Sequence, residues 1–399
     1  MGFFSLEVLR SKKPVPLLPR CGPCGLSTTC ASPKMLPRGS GKRRVLIVGE
    51  APGKEEDSCG RPFVGEAGKC LRDNLDSIGV DLDEDCLTTN SVICRPPGNA
   101  TPSDRKIEFC RPNLVRTIKE FDPQVIIPLG SQAVEAVLGW LWKPGVDGIM
   151  RWAGWKVPCR KPNAWICPTY HPSYVMRGLK ERDTVTQMYF RHHLKEAFSL
   201  QERPWQEIPQ DHVEIILEDS RAAQAVMGFV EAGSSVAFDY ETDRLKPDNL
   251  EARIVSCSVS DGTRTVAYPW QGMARQATRE LLRSHAGKIA SNMRFEERWT
   301  MREFGCGVEN WIWDTQVAAH VLDSRPAITS IKFQAFVLLG APDWEANINE
   351  YKKSAAPGGN SPNRMASCPL RDLLRYNGLD SLYEWQVAQI QAKQMGVKL

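Results

Sequence analysis

Two acids stand two residues apart in Val236-Ala-Phe-Asp239-Tyr-Glu241, and a tyrosine and an acid stand four apart in Tyr376-Asn-Gly-Leu-Asp380. On a strand, a spacing of two puts Asp239 and Glu241 on one face; on a helix, a spacing of four does the same for Tyr376 and Asp380. Ser291-Asn-Met-Arg-Phe-Glu296 repeats the helical spacing with Asn292 and Glu296. Strands rarely turn paired acids inward without a cation to satisfy them, so the pattern predicts a divalent-metal site. The plainer reading is a polar strand end.

A second group of chemistry-bearing residues lies in the first half. Ten of the thirteen cysteines fall within residues 1–200. With no secretory leader expected at the N-terminus, metal binding is favoured over a disulfide framework. Cys21-Gly-Pro-Cys24 is a close pair, and Cys94 and Cys110 are each followed by Arg-Pro. A close pair with two distant thiols suits zinc or a [4Fe–4S] cluster, and spacing leaves both open. Cys30, Cys59, Cys70 and Cys86 are read as non-ligand thiols.

The elements that must position these residues follow from composition and pattern. The 399 residues suggest two or three domains, and 42% apolar with 25% charged residues is a globular profile. Residues 1–200 carry 29 basic against 21 acidic residues, residues 201–399 carry 22 against 26, so the first half suits a polyanion. Strands are predicted at 44–49, 86–94, 124–129 and 164–167, with helices over 66–78 and from Ser103. Alternating strands and helices predict a parallel sheet, whose ligands sit beyond the carboxyl ends of its strands. Gly49-Glu50, Cys94 and Pro168-Thr-Tyr-His171 all fall there. Residues 1–20 read as a lead-in, 21–200 as one domain, 201–211 as a linker and 212–399 as a second domain. In the latter, 213–217, 235–239, 252–260 and 263–269 read as strands, the last two paired around Asp261-Gly262. Helical patterns dominate after 274, and 341–369 read as a long loop.

Residues about 20–200 resemble the family 4, iron–sulfur uracil-DNA glycosylases. The resemblance rests on Val48-Gly-Glu-Ala-Pro-Gly53, Gly60-Arg-Pro-Phe-Val-Gly65, Thr89-Asn-Ser-Val-Ile-Cys-Arg-Pro-Pro-Gly-Asn99-Ala-Thr-Pro102 and His171-Pro-Ser-Tyr174, with the four spaced cysteines. It implies an α/β/α sandwich and a [4Fe–4S] cluster on Cys21, Cys24, Cys94 and Cys110. It further implies that Phe63 stacks on an extruded uracil and that Asn90 reads its edge with a donor and an acceptor. His171 would donate to the leaving base, and Gly49 would allow close backbone approach. Glu50, Glu56 and Asn99 are candidates to orient water or polarise the sugar. The better known glycosylase family has an Asp where this chain has Ala51. A related family that forms a covalent DNA adduct carries a histidine-containing loop after the first motif, which is not seen here, so ordinary hydrolysis is expected.

Residues about 212–395 resemble the 3′→5′ exonuclease domains of family-A DNA polymerases, which implies an RNase H-like α/β fold with a mixed sheet. It also implies two Mg2+ or Mn2+ ions: Asp239, Glu241 and Asp380 would hold one, Asp239 and Glu296 would address the other, and Tyr376 would orient water. The family's second motif supplies Asp where this chain has Glu296. One methylene moves the carboxylate by about 1 Å, a displacement that can cost on the order of 100-fold.

The expectation is a bifunctional DNA enzyme that excises uracil and trims 3′ ends in repair or replication. The alternatives are a glycosylase joined to a degenerate, DNA-binding exonuclease-like domain, and a non-catalytic uracil sensor. The chain ends soon after the third exonuclease motif, so a separate DNA polymerase is an expected partner. With no long apolar stretch, no membrane contact and a cytoplasmic location are expected, with phage origin fitting such a fusion.

Overall fold

A computed structural model describes residues 18–200, 202–354 and 360–399. Most of the predicted lead-in lies outside them. The chain divides into two compact units. One runs to Pro209 and includes Leu339–Ala341; the other comprises Gln210–Leu338 and Pro342–Leu399.

The first unit is built on five strands, β1 (Val45–Gly49), β2 (Cys86–Asn90), β3 (Val125–Pro128), β4 (Val157–Cys159) and β5 (Ala164–Ile166), in the order β2-β1-β3-β5-β4. β1, β2, β3 and β5 run parallel, and β4 pairs antiparallel with β5. The expected all-parallel sheet is therefore corrected at one edge. Val157-Pro-Cys159 is too short to announce itself by periodicity, and Pro158 sits where an edge tolerates a missing donor. Every residue of β1 is buried, as a central strand covered on both faces demands. Val45, Ile47, Val125 and Ile127 pack with Leu71, Leu75, Val175, Phe190 and Leu194 from three helices, Glu66–Asp76, Pro172–Lys180 and Thr184–Phe198. The helices Asp104–Phe121 and Gly130–Leu141 complete the α/β sandwich.

The predicted linker does not hang free. Arg203 pairs with Asp122 at 2.6 Å, and Trp205 donates its indole N–H to the Pro158 carbonyl at 2.8 Å. An aromatic with a satisfied polar edge anchors this stretch to its own unit.

The second unit holds β6 (Glu214–Ile215), β7 (Val236–Thr242), β8 (Ile254–Ser260), β9 (Thr265–Pro269), β10 (Lys288–Ala290) and β11 (Trp311–Asp314), ordered β11-β10-β7-β8-β9-β6. β8 and β9 form the expected hairpin, while β10 pairs parallel with β7 and β11. The mixed sheet matches expectation, and β10 and β11 are short strands within the stretch after 274 where helical patterns were expected to dominate. Phe238 and Tyr240 pack into the core with Val226, Phe229, Leu281 and Trp299. By the two-residue alternation Asp239 and Glu241 face the other side, toward the 25-residue helix Leu370–Gln394. Within the expected 341–369 loop, Asn349–Lys352 forms a helical turn. Among the described residues no helix is long and apolar enough to cross a membrane.

Candidate active sites

In the first unit, the parallel register sets Gly49, the last residue of β1, directly opposite Asn90, the last residue of β2. The Phe63 ring closes over the same point. A Cβ on Gly49 would fall on Asn90 Oδ1 and lie 2.7 Å from Phe63 Cζ, so only glycine lets the three share this corner. Phe63 holds φ at +57°, a conformation that costs a bulky side chain of order 1–3 kcal/mol. It is clamped there because its carbonyl packs against Gly68 so closely that a Cβ at that residue would collide with it.

The loop after β1 is fixed by main-chain bonds. Val92 N–H donates to the Glu50 carbonyl at 3.1 Å, and the Ser91 hydroxyl bonds the same oxygen. Glu56 accepts from Gly53 N–H at 2.9 Å and from Gly65 N–H at 3.2 Å. Both Glu56 oxygens are thus engaged on the loop, where the carboxylate braces Gly53 and Gly65. Asn99 is exposed and accepts from Arg95 Nε at 2.7 Å. Among the described residues, no hydrogen bond joins it to the Gly49 corner.

His171 follows β5 and caps the helix Pro172–Lys180. Its Nδ1 accepts from Ser173 N–H at 3.2 Å, which leaves the proton of a neutral ring on Nε2. Burial, reinforced by the positive Arg177, pushes the imidazole pKa down to about 4. Gly130, just beyond β3, stands against this ring: a Cβ there would lie 3.0 Å from His171 Cβ. Burial raises the Glu50 carboxyl while Arg177 draws it down. Arg177 therefore acts on both Glu50 and His171. Sequence reasoning missed it, since nothing in its local pattern sets it apart.

Cys21, Cys24, Cys94 and Cys110 line one small cavity, with Val92, Ile93, Phe109 and Asn113 around them. Arg20 N–H bonds the Phe109 carbonyl at 3.0 Å, tying the first pair to the helix that carries Cys110. Lys34 N–H reaches Cys94 Sγ at 3.2 Å, and Asn113 Nδ2 reaches Cys110 Sγ at 3.5 Å. Burial pushes Cys94 up to about 11 and also lifts Cys110. Neither would ionise near neutrality without a cation among them, yet both receive N–H donors suited to thiolate. Cys30 also stands beside Cys94.

In the second unit, Asp239, Glu241 and Asp380 bring ligand oxygens within 4.8 Å of one another. The arrangement depends on Asn377. Its Nδ2 donates to Asp239 Oδ2 at 2.6 Å, its Oδ1 accepts from the Ser256 hydroxyl at 2.9 Å, and its carbonyl accepts from Ser258 at 2.8 Å. Small serines on β8 let the long helix approach the sheet closely. Burial first, then neighbouring acids, hold Asp239 and Glu296 well above the carboxylate range, and Glu241 is pushed up to about 8. Lys332 pairs with Asp380, and Trp344 Nε1 donates to the same oxygen at 3.0 Å. The Lys332 ammonium lies 4.8 Å from the Tyr376 ring centroid, and that of Lys352 4.6 Å from it. Burial keeps the Tyr376 phenol protonated. Asp314 accepts from Asn292 and Met293 N–H at 3.1 and 3.0 Å and so fixes the start of the helix carrying Glu296. Lys332 and Asn377 were not foreseen; Asn377 sits beside Tyr376 in a motif already noted, whereas Lys332 lies in a segment with no motif.

The first unit matches the family model described as the uracil DNA glycosylase superfamily over residues 36–195. A type-4 uracil-DNA glycosylase of Pyrobaculum aerophilum is 39% identical over 140 residues, covering 35% of this chain and 71% of that protein. The chain belongs to the type-4 uracil-DNA glycosylase family. A type-4 glycosylase of Thermotoga maritima is 38% identical over 144 residues, covering 34% of this chain and 67% of that protein. Beyond the type-4 unit, residues 214–395 match a family model described as a 3′-5′ exonuclease. A DNA polymerase of Bacillus phage SP01 is 27% identical over 325 residues, covering 72% of this chain and 33% of the polymerase. That share exceeds either unit, so the similarity runs through both. This type-4 glycosylase chain is a hydrolytic enzyme with an exonuclease-like second unit.

Proposed function

We propose that the chain carries two hydrolytic activities on DNA: release of uracil in the first unit and metal-dependent removal of nucleotides from 3′ ends in the second. The convergence of Gly49, Phe63 and Asn90 at adjacent strand ends carries the first reading. An extruded uracil stacks on Phe63, and the Asn90 amide pairs with its N3–H and O4, a pattern that cytosine inverts. Water attacks C1′ as the glycosidic electron pair moves into the base, the water gives up a proton to Glu50, which passes it on to the departing uracil anion, and an abasic sugar remains. His171, neutral and protonated on Nε2, donates to the base oxygen as negative charge builds there. Glu50 faces the attacking water, its carboxyl raised by burial and drawn back down by Arg177. Glu56 and Asn99 act on the loops around this site. The test is alkali cleavage of a uracil-bearing strand after incubation without divalent metal. An uncut strand leaves only a uracil-binding role.

Cys21, Cys24, Cys94 and Cys110 would hold a [4Fe–4S] cluster, and their shared cavity with two N–H···S donors fits thiolates on a cation. Bound there, it would supply a staple between the helical turn Cys21–Cys24 and the helix Asp104–Phe121. Iron and acid-labile sulfide in the purified protein test this; zinc alone refutes it.

In the second unit Asp239, Glu241 and Asp380 would hold one divalent ion, and Asp239 with Glu296 would address another. Oxygen-only donors suit magnesium or manganese, which supply charge neutralisation and an activated water. Tyr376 remains protonated and orients that water, while Asn377 fixes the Asp239 carboxylate. Shortening of a labelled 3′ overhang that requires magnesium and is abolished by Asp239→Ala supports this. The ammonium of Lys332 on Asp380, with Glu296 in the second motif, favours a second reading, a unit that holds a strand without cutting it. No shortening with magnesium or manganese decides for that reading. The similarity to a phage polymerase across both units supports a place beside DNA synthesis, with a polymerase as partner.

A further inference from the structure

Glu384 lies one helical turn beyond Asp380, so Tyr376, Asp380 and Glu384 repeat every four residues along one face of the helix Leu370–Gln394. No motif above contains it. Only 3% of Glu384 is exposed, and its Oε2 has no hydrogen-bond partner among the described residues. Glu296 is in the same condition: 3% exposed, with Oε2 unpartnered. Buried carboxylate oxygens lacking donors are normally satisfied by a cation or a proton.

The surroundings point to a cation. Glu296 and Asp380 are the acids that bear most on Glu384, and Glu384 bears in turn on Asp239. Five acids, Asp239, Glu241, Glu296, Asp380 and Glu384, therefore feel one another's charge, and Asp314 bears on Glu296 and Glu384 besides. Lys332 is paired with Asp380, and Lys352 with Glu345 at 2.7 Å. Lys332 balances one charge of the five. Asp239, Glu241 and Asp380 suffice as the protein donors for one ion. Two-ion sites place their metals about 3.5–4 Å apart, so a second ion needs donors on the far side of Asp239.

We infer that Glu384 and Glu296 together are protein ligands of a second divalent cation, with Asp239 shared between the two ions. This rests on the reading of the acid cluster as a two-metal site. A Glu in the second motif then follows physically: its longer side chain meets a donor that comes from one turn further along the helix.

The experiment is Mn2+ binding to the full-length chain, counted by calorimetry and by loss of the free-ion paramagnetic resonance signal. Wild type is expected to bind two ions in this cluster, E384Q one, and E296Q the same one, with the retained ion within threefold of its wild-type affinity. E384D, which keeps the charge, is expected to retain both ions with the weaker one weakened at least fivefold. Thermal melting verifies that each variant is folded. Two ions bound equally well by wild type, E384Q and E296Q overturn the assignment of Glu384 and leave the two-metal reading intact. A wild type that binds one ion or none overturns the two-metal reading itself, and the assignment with it.

Discussion

Replacing His171 tests the glycosylase chemistry most directly. The ring is held by one bond, Ser173 N–H to Nδ1 at 3.2 Å, and burial beside Arg177 keeps its pKa near 4. At pH 7 a group with that pKa is cationic in about one molecule in a thousand. On the proposed mechanism His171 would therefore work as a neutral Nε2–H donor, with a contribution unchanged from about pH 5 upward. Deleting one preorganised donor to a developing anion costs on the order of 100- to 1000-fold in rate. His171→Ala should show this loss in single-turnover uracil release, read by alkali cleavage, with substrate affinity little altered. The wild-type rate should show no limb between pH 5.5 and 7.5 that belongs to this histidine. A variant within threefold of wild type, or a wild-type limb near pH 6.5 that vanishes in His171→Ala, would refute the argument.

Gly49→Ala puts a methyl onto Asn90 Oδ1 and the Phe63 ring, and a shift of that size should cost about 100-fold in uracil release with little change in melting temperature. Cys94→Ser should lower iron content and destabilise the first unit, measured by metal analysis and melting; unchanged iron would remove Cys94 from the ligand set. Glu241 binds its proton more tightly folded, at about 8, than unfolded, near the ordinary 4.5, so the stability it contributes is present below about 4.5 and lost as pH rises toward 8. Metal-free protein should therefore lose about 1 kcal/mol or more per pH unit across pH 5–8 in the second unit, Glu241→Gln should lessen the slope without abolishing it because Asp239 and Glu296 are also held above the carboxylate range, and magnesium should lessen it too. A melting temperature that rises over this range in wild type contradicts the sign. Asn377→Ala frees the Asp239 carboxylate and should lower magnesium-dependent 3′ shortening at least 10-fold without touching uracil release.

Much of the fold was legible because its signals are local. Val45–Gly49 is a continuous apolar run between polar turns, and Asp261-Gly262 sits between two alternating segments, so the strand and the hairpin follow from pattern alone. The missed strands are three or four residues long, and their strand character comes from partners remote in sequence. Of the site residues, those in ordered motifs were named in advance. Arg177, Lys332, Asn377 and Glu384 were not, since a charged or amide side chain on a helix has no local mark of facing inward.

Spacing along each element was determined by the sequence itself: a pair of acids on one strand face, and a tyrosine and an acid on one helix face. Those follow from the two-residue and 3.6-residue periods of the backbone. Tertiary structure alone decided what each group does once there. It turned Glu56 onto two backbone amides, fixed the His171 proton on Nε2, set Lys332 against Asp380, and left oxygens of Glu296 and Glu384 buried without donors. Protonation, pairing and desolvation depend on what packs against a group, and in this chain that ranges from amides a few residues away, as for Glu56 and His171, to a lysine 48 residues away, as for Asp380.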